Sequence, residues 1–239
     1  MGLLEGNGTI TVDKNINTLR IRIVISLKNE ANNVLMLNKI ADVIGGRVYI
    51  ERKDQYVTWI ASNKSTLNKV FIILARYPLL TIRKQCQLDF AKNCLIDNNV
   101  ENFIENRNNK YIHKANLLVK ASTIPPFYFP VWLSGFIEAE GNFNLVFDEI
   151  GHLRKSSFSI GQNDELHILN MIKSYFKSEN AILKDKKTIK SNQFDYYRLH
   201  LYNALSRKLL FEHFDKYPLL GQKIVSYSKF YNYHNKIVN

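Results

Sequence analysis

The chain has 239 residues, of which 46% are hydrophobic, and a formal net charge of +12. It contains no apolar run of about 18 residues or more, so the sequence predicts no transmembrane helix and no membrane partner. Lysine and arginine are spread through the whole chain, which favours a polyanion such as nucleic acid as the partner. An anionic lipid surface and ordinary solvated charge are the alternatives.

The cysteine content indicates a reducing compartment. Cys86 and Cys94 are the two cysteines, and their spacing places them two turns apart on a predicted helix, too far for a disulfide bond. No set of cysteines and histidines has the spacing of a zinc site. Asparagine, isoleucine, lysine and tyrosine are all frequent and have A/T-rich codons, which predicts an A/T-rich genome and a mitochondrial or other organellar location.

The first half of the chain predicts an α-β-β-α-β-β-α-α series. Alternation of polar and apolar residues predicts strands, and apolar residues at helical spacing predict helices. The elements predicted after a first helix at residues 2–7 are strands 9–13 and 19–25, helix 31–44, a hairpin of 47–52 and 55–60, helix 64–76, and a helix after Pro78.

The second half predicts the same series, so the expected fold class is α/β of the α+β kind. Its predicted elements are strands 142–148 and 152–162, helix 164–176 with Asp164 at its N-terminal end, strands 181–184 and 194–201, helix 204–215, and a helix from Pro218 to about His234. A stretch rich in Asn and Lys, ending in Ile124-Pro125-Pro126, separates the halves. The predicted domains are therefore residues 1–106 and 131–239, joined by a linker at 107–130.

The alternation along the predicted strands also sorts their two faces. The residues predicted to be buried are Leu19, Ile21, Ile23, Ile25, Phe143, Leu145 and Phe147. The opposite face carries polar side chains that can reach phosphates and base edges, which predicts a nucleic-acid-binding face. The alternative is an ordinary solvent-exposed sheet face with no binding role. The predicted binding residues are Thr9, Thr11, Arg20, Arg22, Ser26, Asn142, Asn144, Arg198 and His200.

A short pattern occurs twice and indicates an internal duplication. Residues 2–10 (GLLEGNGTI) match residues 135–143 (GFIEAEGNF), and the sequence Tyr-Pro-Leu-Leu at 77–80 recurs at 217–220. With Trp132-Leu133-Ser134 before it, the second copy resembles the motif of LAGLIDADG homing endonucleases. Residues 2–10 resemble a clipped and degenerate first copy, and the resemblance covers nearly the whole chain.

The resemblance implies a pseudo-twofold, duplicated αββαββα fold with saddle-shaped antiparallel sheets. It implies a monomer whose motif helices, 2–7 and 133–140, meet at the pseudo-twofold axis, and site-specific cleavage of double-stranded DNA with Mg²⁺ as cofactor. Glu140 is the implied catalytic and metal-binding carboxylate, and Glu138 is an implied cap or packing residue. Asn7 stands at the matching catalytic and metal position of the first copy, so cleavage is expected to be impaired.

The same resemblance implies further catalytic positions. Gln162 ends the second strand of the second half, where the family often places a residue that positions water, and Lys28 is taken as its match in the first half. Arg83 and Lys223 each follow the proline of Tyr-Pro-Leu-Leu by five residues and match a basic residue near the scissile phosphate. A solvated surface charge is the alternative for each of them.

Two functional hypotheses therefore stand, and the sequence leaves open whether the chain is an enzyme. One is a Mg²⁺-dependent DNA endonuclease, which Glu140, Gln162 and Lys223 favour. The other is a catalytically inactive RNA-binding protein on the same scaffold, an intron maturase or an organellar ribosome or ribonucleoprotein component, which Asn7 favours. Its partner would be structured intron or ribosomal RNA, with ribosomal proteins. A transcription regulator would need an added domain, which this length does not lead us to expect, and an engineered Asp-to-Asn change at position 7 is a further alternative.

Overall fold

The computed structural model describes residues 1–185 and 195–236. The chain divides into two compact units, one formed by Met1 with Leu3–Ala121 and the other by Gly2 with Ser122–Asn239. The division falls within the predicted linker, whereas the predicted domain limits at residues 106 and 131 stay predictions.

The first half of the chain follows the predicted order of helices and strands. Its elements are α1 (Gly2–Asn7), β1 (Gly8–Asn15), β2 (Thr18–Lys28), α2 (Ala31–Ile44), β3 (Arg47–Glu51), β4 (Tyr56–Ala61), α3 (Lys64–Arg76), α4 (Ile82–Asp97), α5 (Val100–Asn106) and α6 (Lys114–Val119). The sequence pattern does not predict α5 and α6, because helices of seven and six residues are too short to show a helical repeat.

The second half repeats the series. Its elements are α7 (Phe129–Glu140), β5 (Asn142–Phe147), β6 (Leu153–Asn163), α8 (Leu166–Tyr175), β7 (Leu183–Lys184), β8 (Tyr196–Leu201), α9 (Ala204–Lys216) and α10 (Lys223–Lys236). The predicted linker thus contains α6 and the start of α7, where Pro130 lies in the first turn and its missing N–H is tolerated. Phe194, the predicted first residue of the last strand, lies outside the described residues. Among the described helices, none has the length and apolar character needed to cross a membrane.

Each half contains a four-stranded antiparallel sheet, and the two sheets share one strand order. The orders are β1-β2-β4-β3 and β5-β6-β8-β7. Alternate residues of the central strands are buried against helices, such as Ile21 and Ile23 in the first sheet and Phe158 and Ile160 in the second. The opposite face of each sheet is therefore the one available to a partner, and the predicted α+β class is confirmed.

The duplication extends to helix capping. At the start of α3 the side-chain oxygen of Asn63 accepts a hydrogen bond from the backbone N–H of Thr66 (2.8 Å). At the start of α9 Asn203 accepts one from the N–H of Ser206 (2.7 Å). A side-chain acceptor at this position satisfies an N–H that the helix itself leaves unpaired. The two halves therefore begin their matching helices with the same local chemistry.

Two predicted details of the second half are wrong. Phe147 is 47% exposed and Leu145 is half-buried. Phe147 still contacts Tyr233 of α10, with ring centroids 5.7 Å apart, so α10 covers this end of β5 only in part. Asp164 does not cap a helix. Its backbone has φ of +60° and its Oδ1 accepts from the N–H of Asp195 (2.8 Å), so it closes a turn beside β8, and α8 begins at Leu166.

Candidate catalytic centre and nucleic-acid interface

The two predicted catalytic positions are the last residues of the two motif helices. Glu140 ends α7, and Gly141 continues in an extended conformation (φ −70°, ψ 150°) into β5. Asn7 ends α1 in the same way, before the extended backbone of Gly8. The Glu140 side chain is half-buried and Asn7 is exposed. Each unit thus carries a polar side chain where a helix meets the first strand of its sheet.

The donor chemistry at these two positions differs. Proteins usually bind Mg²⁺ through one or two carboxylates, with water and substrate phosphates completing the coordination. Glu140 offers a carboxylate, whereas Asn7 offers a neutral amide oxygen. Within residues 1–185 and 195–236 there is no group of three or more His, Cys, Asp or Glu side chains that could hold a metal ion. The Glu140 carboxylate therefore fits a metal that takes its remaining ligands from water and a bound phosphate backbone.

A second acidic residue of each motif helix has a structural role. Glu138 is buried, and its carboxylate accepts hydrogen bonds from the backbone N–H groups of Lys223 (2.9 Å) and Gly221 (3.1 Å) at the start of α10. Burial raises the pKa of this carboxyl, and the two hydrogen bonds oppose that shift. The implied role of Glu138 as a cap is confirmed.

Glu5 does the same in the first unit. Its Oε2 accepts from the N–H of Leu80 (2.9 Å) and of Thr81 (2.5 Å), directly before α4. Both motif helices are therefore tied to the helix that follows Tyr-Pro-Leu-Leu. This tie sets where each motif helix ends within its own unit, and hence where Asn7 and Glu140 lie.

The basic residue of the second unit lies near the predicted catalytic carboxylate. Lys223 is the first residue of α10 and is half-buried. Burial lowers the pKa of its ammonium group, while the charges of Glu138 and Glu140 oppose that shift. Glu140 and Lys223 therefore interact electrostatically, and the unit brings these two predicted residues together.

The first unit places a different cation beside its motif helix. Arg83, the predicted match of Lys223, is exposed, whereas the next residue, Lys84, is only 1% exposed. The Nζ of Lys84 donates a hydrogen bond to the carbonyl oxygen of Gly8, the residue after Asn7. Lys84 is not among the predicted site residues, although the adjacent pair Arg83-Lys84 contains two candidates for one basic position.

The predicted match between Lys28 and Gln162 is wrong in register. Thr9 pairs with Val24 in the first sheet, and the equivalent Asn142 pairs with Ser159 in the second. Counting along the strands makes Lys28 equivalent to Asn163, and makes Gln162 equivalent to the buried Leu27. The path from Asn142 to Ser159 is two residues longer than the path from Thr9 to Val24, which a match made by sequence position overlooks. Lys28 and Gln162 consequently lie on opposite faces of their sheets.

The polar face of the first sheet carries its predicted binding residues. Thr9 and Arg20 are exposed, and Thr11, Arg22 and Ser26 are half-buried. These side chains are tied to neighbours on the same face. The contacts are an ion pair of Arg22 with Asp13, a hydrogen bond from Arg20 Nη2 to Ser62 Oγ (3.1 Å), and bonds to Glu51 Oε1 from Ser26 Oγ (3.3 Å) and Thr58 Oγ1 (2.8 Å).

The polar face of the second sheet is arranged similarly. Asn142 is exposed, and Asn144, Arg198 and His200 are half-buried. Arg198 forms an ion pair with Asp185 (Nη2–Oδ2 3.0 Å), and His200 stacks on Tyr202 with ring centroids 5.4 Å apart. Burial, followed by the charges of Arg198 and Lys155, lowers the pKa of His200, so the imidazole is held neutral at pH 7. A neutral imidazole has one donor and one acceptor, but Nδ1 of His200 is buried, which leaves Nε2 as the ring nitrogen for a base edge.

Solved structures match the architecture over almost the entire chain. The LAGLIDADG meganuclease I-CpaMI, solved bound to uncleaved DNA, matches with a TM-score of 0.73 and 18% identity over 99% of this chain and 90% of its own. I-AabMI, also bound to uncleaved DNA, matches with a TM-score of 0.70 and 21% identity over 97% of this chain and 87% of its own. At these identities the similarity shows the fold.

Sequence relatives show the family. A probable intron-encoded endonuclease of Dictyostelium citrinum is 37% identical over 98% of this chain and 93% of its own length. One from Debaryomyces hansenii is 32% identical over 96% of this chain, which spans 37% of that longer relative. LAGLIDADG endonucleases generally use a divalent metal ion. The family model described as LAGLIDADG endonuclease matches residues 1–94 and 133–234, one segment for each motif copy, and the chain therefore belongs to the LAGLIDADG homing endonuclease family.

Proposed function

We propose that the chain binds double-stranded DNA through the polar faces of its two sheets and descends from a site-specific endonuclease in which cleavage of one strand is now impaired. The observation that carries this proposal is the asymmetry of the two motif helices, which end in a carboxylate at Glu140 and in an amide at Asn7. The net charge of +12 supports a polyanionic partner.

The second unit holds the more complete set of catalytic groups. Glu140 would hold Mg²⁺, which when bound supplies an activated water and stabilises charge on the leaving oxygen. Lys223 places a positive charge within electrostatic range of that carboxylate, where it can stabilise a phosphate. In the first unit Asn7 brings no negative charge, and Arg83 and the buried Lys84 contribute only positive charge, so a metal ion is held less well there.

Strand-resolved cleavage tests this proposal. A supercoiled plasmid carrying a sequence selected from a randomised duplex library is incubated with the chain and Mg²⁺, and each strand is labelled separately. We expect nicking of one strand and little linear product. Glu140→Gln keeps the shape but removes the charge, and should lower nicking by at least about 100-fold, the upper end of what loss of a residue that orients a metal ligand costs.

Asn7→Asp is the matched gain-of-function variant. It restores a charged ligand at the first motif helix and should raise cutting of the second strand, with linear product appearing after the nick. Efficient double-strand cleavage by the unmodified chain would contradict the proposed impairment. Recovery by Asn7→Asp would show that the loss lies at this one position.

Asn7 also supports a second candidate, an inactive RNA-binding protein on the same scaffold, such as an intron maturase or an organellar ribonucleoprotein component. The polar sheet faces are compatible with either nucleic acid. If the native chain and Asn7→Asp both fail to cut DNA, yet a structured intron or ribosomal RNA binds more tightly than the selected duplex at equal salt, this candidate becomes the better account.

Two further properties belong to the proposal. We infer that the chain acts as a monomer, because it contains both motif copies; light scattering on the DNA-free protein should give about its sequence mass of 27.9 kDa. We also infer an organellar origin from the A/T-rich codon bias and from the intron-encoded endonucleases among its relatives. Fractionation of the host cell with an antibody to the chain tests the location.

A further inference from the structure

The polar face of each sheet holds an aspartate bound to an arginine, although both faces belong to a strongly basic chain. Asp13 on β1 binds Arg22 on β2, and Asp185, directly after β7, binds Arg198 on β8. The four side chains are 37–44% exposed, so each pair is accessible from the polar face. A carboxylate on a surface that meets a polyanion weakens nonspecific attraction, so its presence in both units calls for a physical account.

Pairing with a carboxylate changes what an arginine offers to DNA. The ion pair has a net charge near zero, so the arginine loses most of its Coulomb attraction to phosphates. What remains is the planar fork: one carboxylate oxygen occupies one terminal nitrogen, Nη2, and both terminal nitrogens keep N–H donors for another partner. The pairing also restricts the side-chain conformation before DNA arrives, which lowers the entropy lost on binding.

The surroundings of Arg198 add a second constraint. Its guanidinium carbon lies 5.3 Å from the ring centroid of Tyr196, in a cation–π contact. The strand residue opposite Arg198 is Gly161, where a Cβ would collide with the Tyr196 hydroxyl group. Gly161 thus leaves room for the aromatic ring that supports Arg198. A planar guanidinium held by a carboxylate and an aromatic ring is oriented rather than free to follow the phosphate backbone.

Arg20 provides a contrast on the same sheet. Its Nη2 donates to the neutral hydroxyl of Ser62, so this contact leaves its full positive charge in place. Coulomb attraction is not directional, and an exposed, charged arginine suits a phosphate at almost any base sequence.

Building on the DNA binding proposed above, we infer that Arg22 and Arg198 are specificity-determining residues that each recognise a guanine in the major groove, one in each half-site, whereas Arg20 contacts phosphate. Guanine presents two acceptors, O6 and N7, side by side, and a forked arginine is the commonest side chain that binds them together. Each such contact should prefer guanine over other bases by roughly 5- to 150-fold.

Selection from a fully randomised duplex library tests the assignment. The unmodified chain should enrich a sequence with a fixed guanine in each half. Lysine keeps the charge but lacks the fork, so Arg22→Lys should relax the preference at one guanine and Arg198→Lys at the other, each with little change in salt dependence. Arg20→Lys is the matched control and should leave the enriched sequence unchanged.

A second pair of variants addresses the aspartates. Asp13→Asn and Asp185→Asn free the charge of the neighbouring arginine, so affinity for a scrambled duplex should rise, its salt dependence should steepen, and the preference for guanine should weaken. If these variants leave all three quantities unchanged, the ion pairs do not orient the arginines.

The outcomes separate the inference from the function on which it rests. An enriched sequence that both lysine variants retain unchanged would overturn recognition by Arg22 and Arg198 and leave DNA binding in place. If the unmodified chain binds the library and enriches no sequence, or does not bind it at all, the proposed site-specific function fails, and base recognition fails with it.

Discussion

His213 shows how one buried residue can fix the motif helix of the second unit. Ser134, within α7, donates to the carbonyl oxygen of Tyr217 (2.7 Å) and therefore accepts from Nε2 of His213 (3.0 Å). The hydroxyl of Tyr175 then donates to Nδ1 of His213 (3.0 Å). A neutral imidazole satisfies every partner, whereas a protonated ring would have to donate to the Tyr175 hydroxyl, whose own proton would then turn away from the ring. The network joins α7 to the ends of α8 and α9.

This residue makes a pH prediction. Burial lowers the pKa of His213 from 6.5 to about 4 in the folded chain. The unfolded state therefore binds more protons between these values, so the free energy of unfolding falls as pH drops from about 6.5 to about 4, by up to roughly 3 kcal/mol. His213→Gln should be less stable at neutral pH but show a shallower loss in acid. Urea unfolding at several pH values measures both, and parallel curves for the two proteins would contradict the prediction.

At the scale of elements, the buried Glu5 and Glu138 should stabilise the positions of α4 and α10. Glu138→Gln removes the charge and places an amide N–H₂ against one of two backbone donors, so we expect a loss of about 1.5–3 kcal/mol in the free energy of unfolding. Glu5→Gln should act likewise in the first unit. Urea unfolding tests both, and the exposed Glu149→Gln is the matched control. A cost no larger than the control would mean that the contacts do not cap these helices.

The elements also show what the sequence could and could not predict. Helices α2 and α3 have the predicted limits, because their apolar spacing is regular and Gly45 and Asn63 mark their ends. The sequence correctly placed Glu140 and Asn7 at the last positions of the motif helices, because the motif itself ends where the helix ends, whereas their catalytic and metal-binding roles stay predictions. The predicted equivalence of Lys28 and Gln162 is wrong because the register depends on the number of residues between the paired strand positions, which the motif spacing does not report.

Other features depend on tertiary contacts that local sequence does not encode. Lys84 and Arg83 are adjacent cations on one helix, and only the packing of α4 against β1 buries Lys84 and brings its Nζ to Gly8. The ion pairs of Arg22 and Arg198 join strands or strand ends whose neighbours are set by sheet order. Alternation correctly placed these arginines on the polar face, but the aspartates beside them became visible only with the sheets assembled.

At the scale of the whole molecule, charge and its local neutralisation should govern how tightly and how selectively nucleic acid is bound. The chain carries 33 lysine and arginine residues against 21 aspartate and glutamate residues. The excess gives long-range attraction to any nucleic acid, which cannot distinguish one sequence from another. The paired arginines withdraw part of that charge from the sheet faces where base edges would lie. The cations outside these ion pairs would thereby provide most of the affinity, and the paired arginines the sequence specificity.

This division predicts that nucleic-acid affinity falls steeply with salt, and that the two kinds of arginine contribute differently to that salt dependence. If the two sheet faces together neutralise six or more phosphates, the slope of log affinity against log salt should be about −5 or steeper on duplex DNA. Arg20→Ala should make that slope shallower by about 1, because it removes one phosphate contact. Arg22→Lys should lower affinity for the selected sequence while leaving the slope nearly unchanged, since lysine keeps the positive charge that Asp13 balances. Fluorescence anisotropy across a salt series measures each slope. A nearly flat response of the unmodified chain would mean that these basic faces do not bind the backbone.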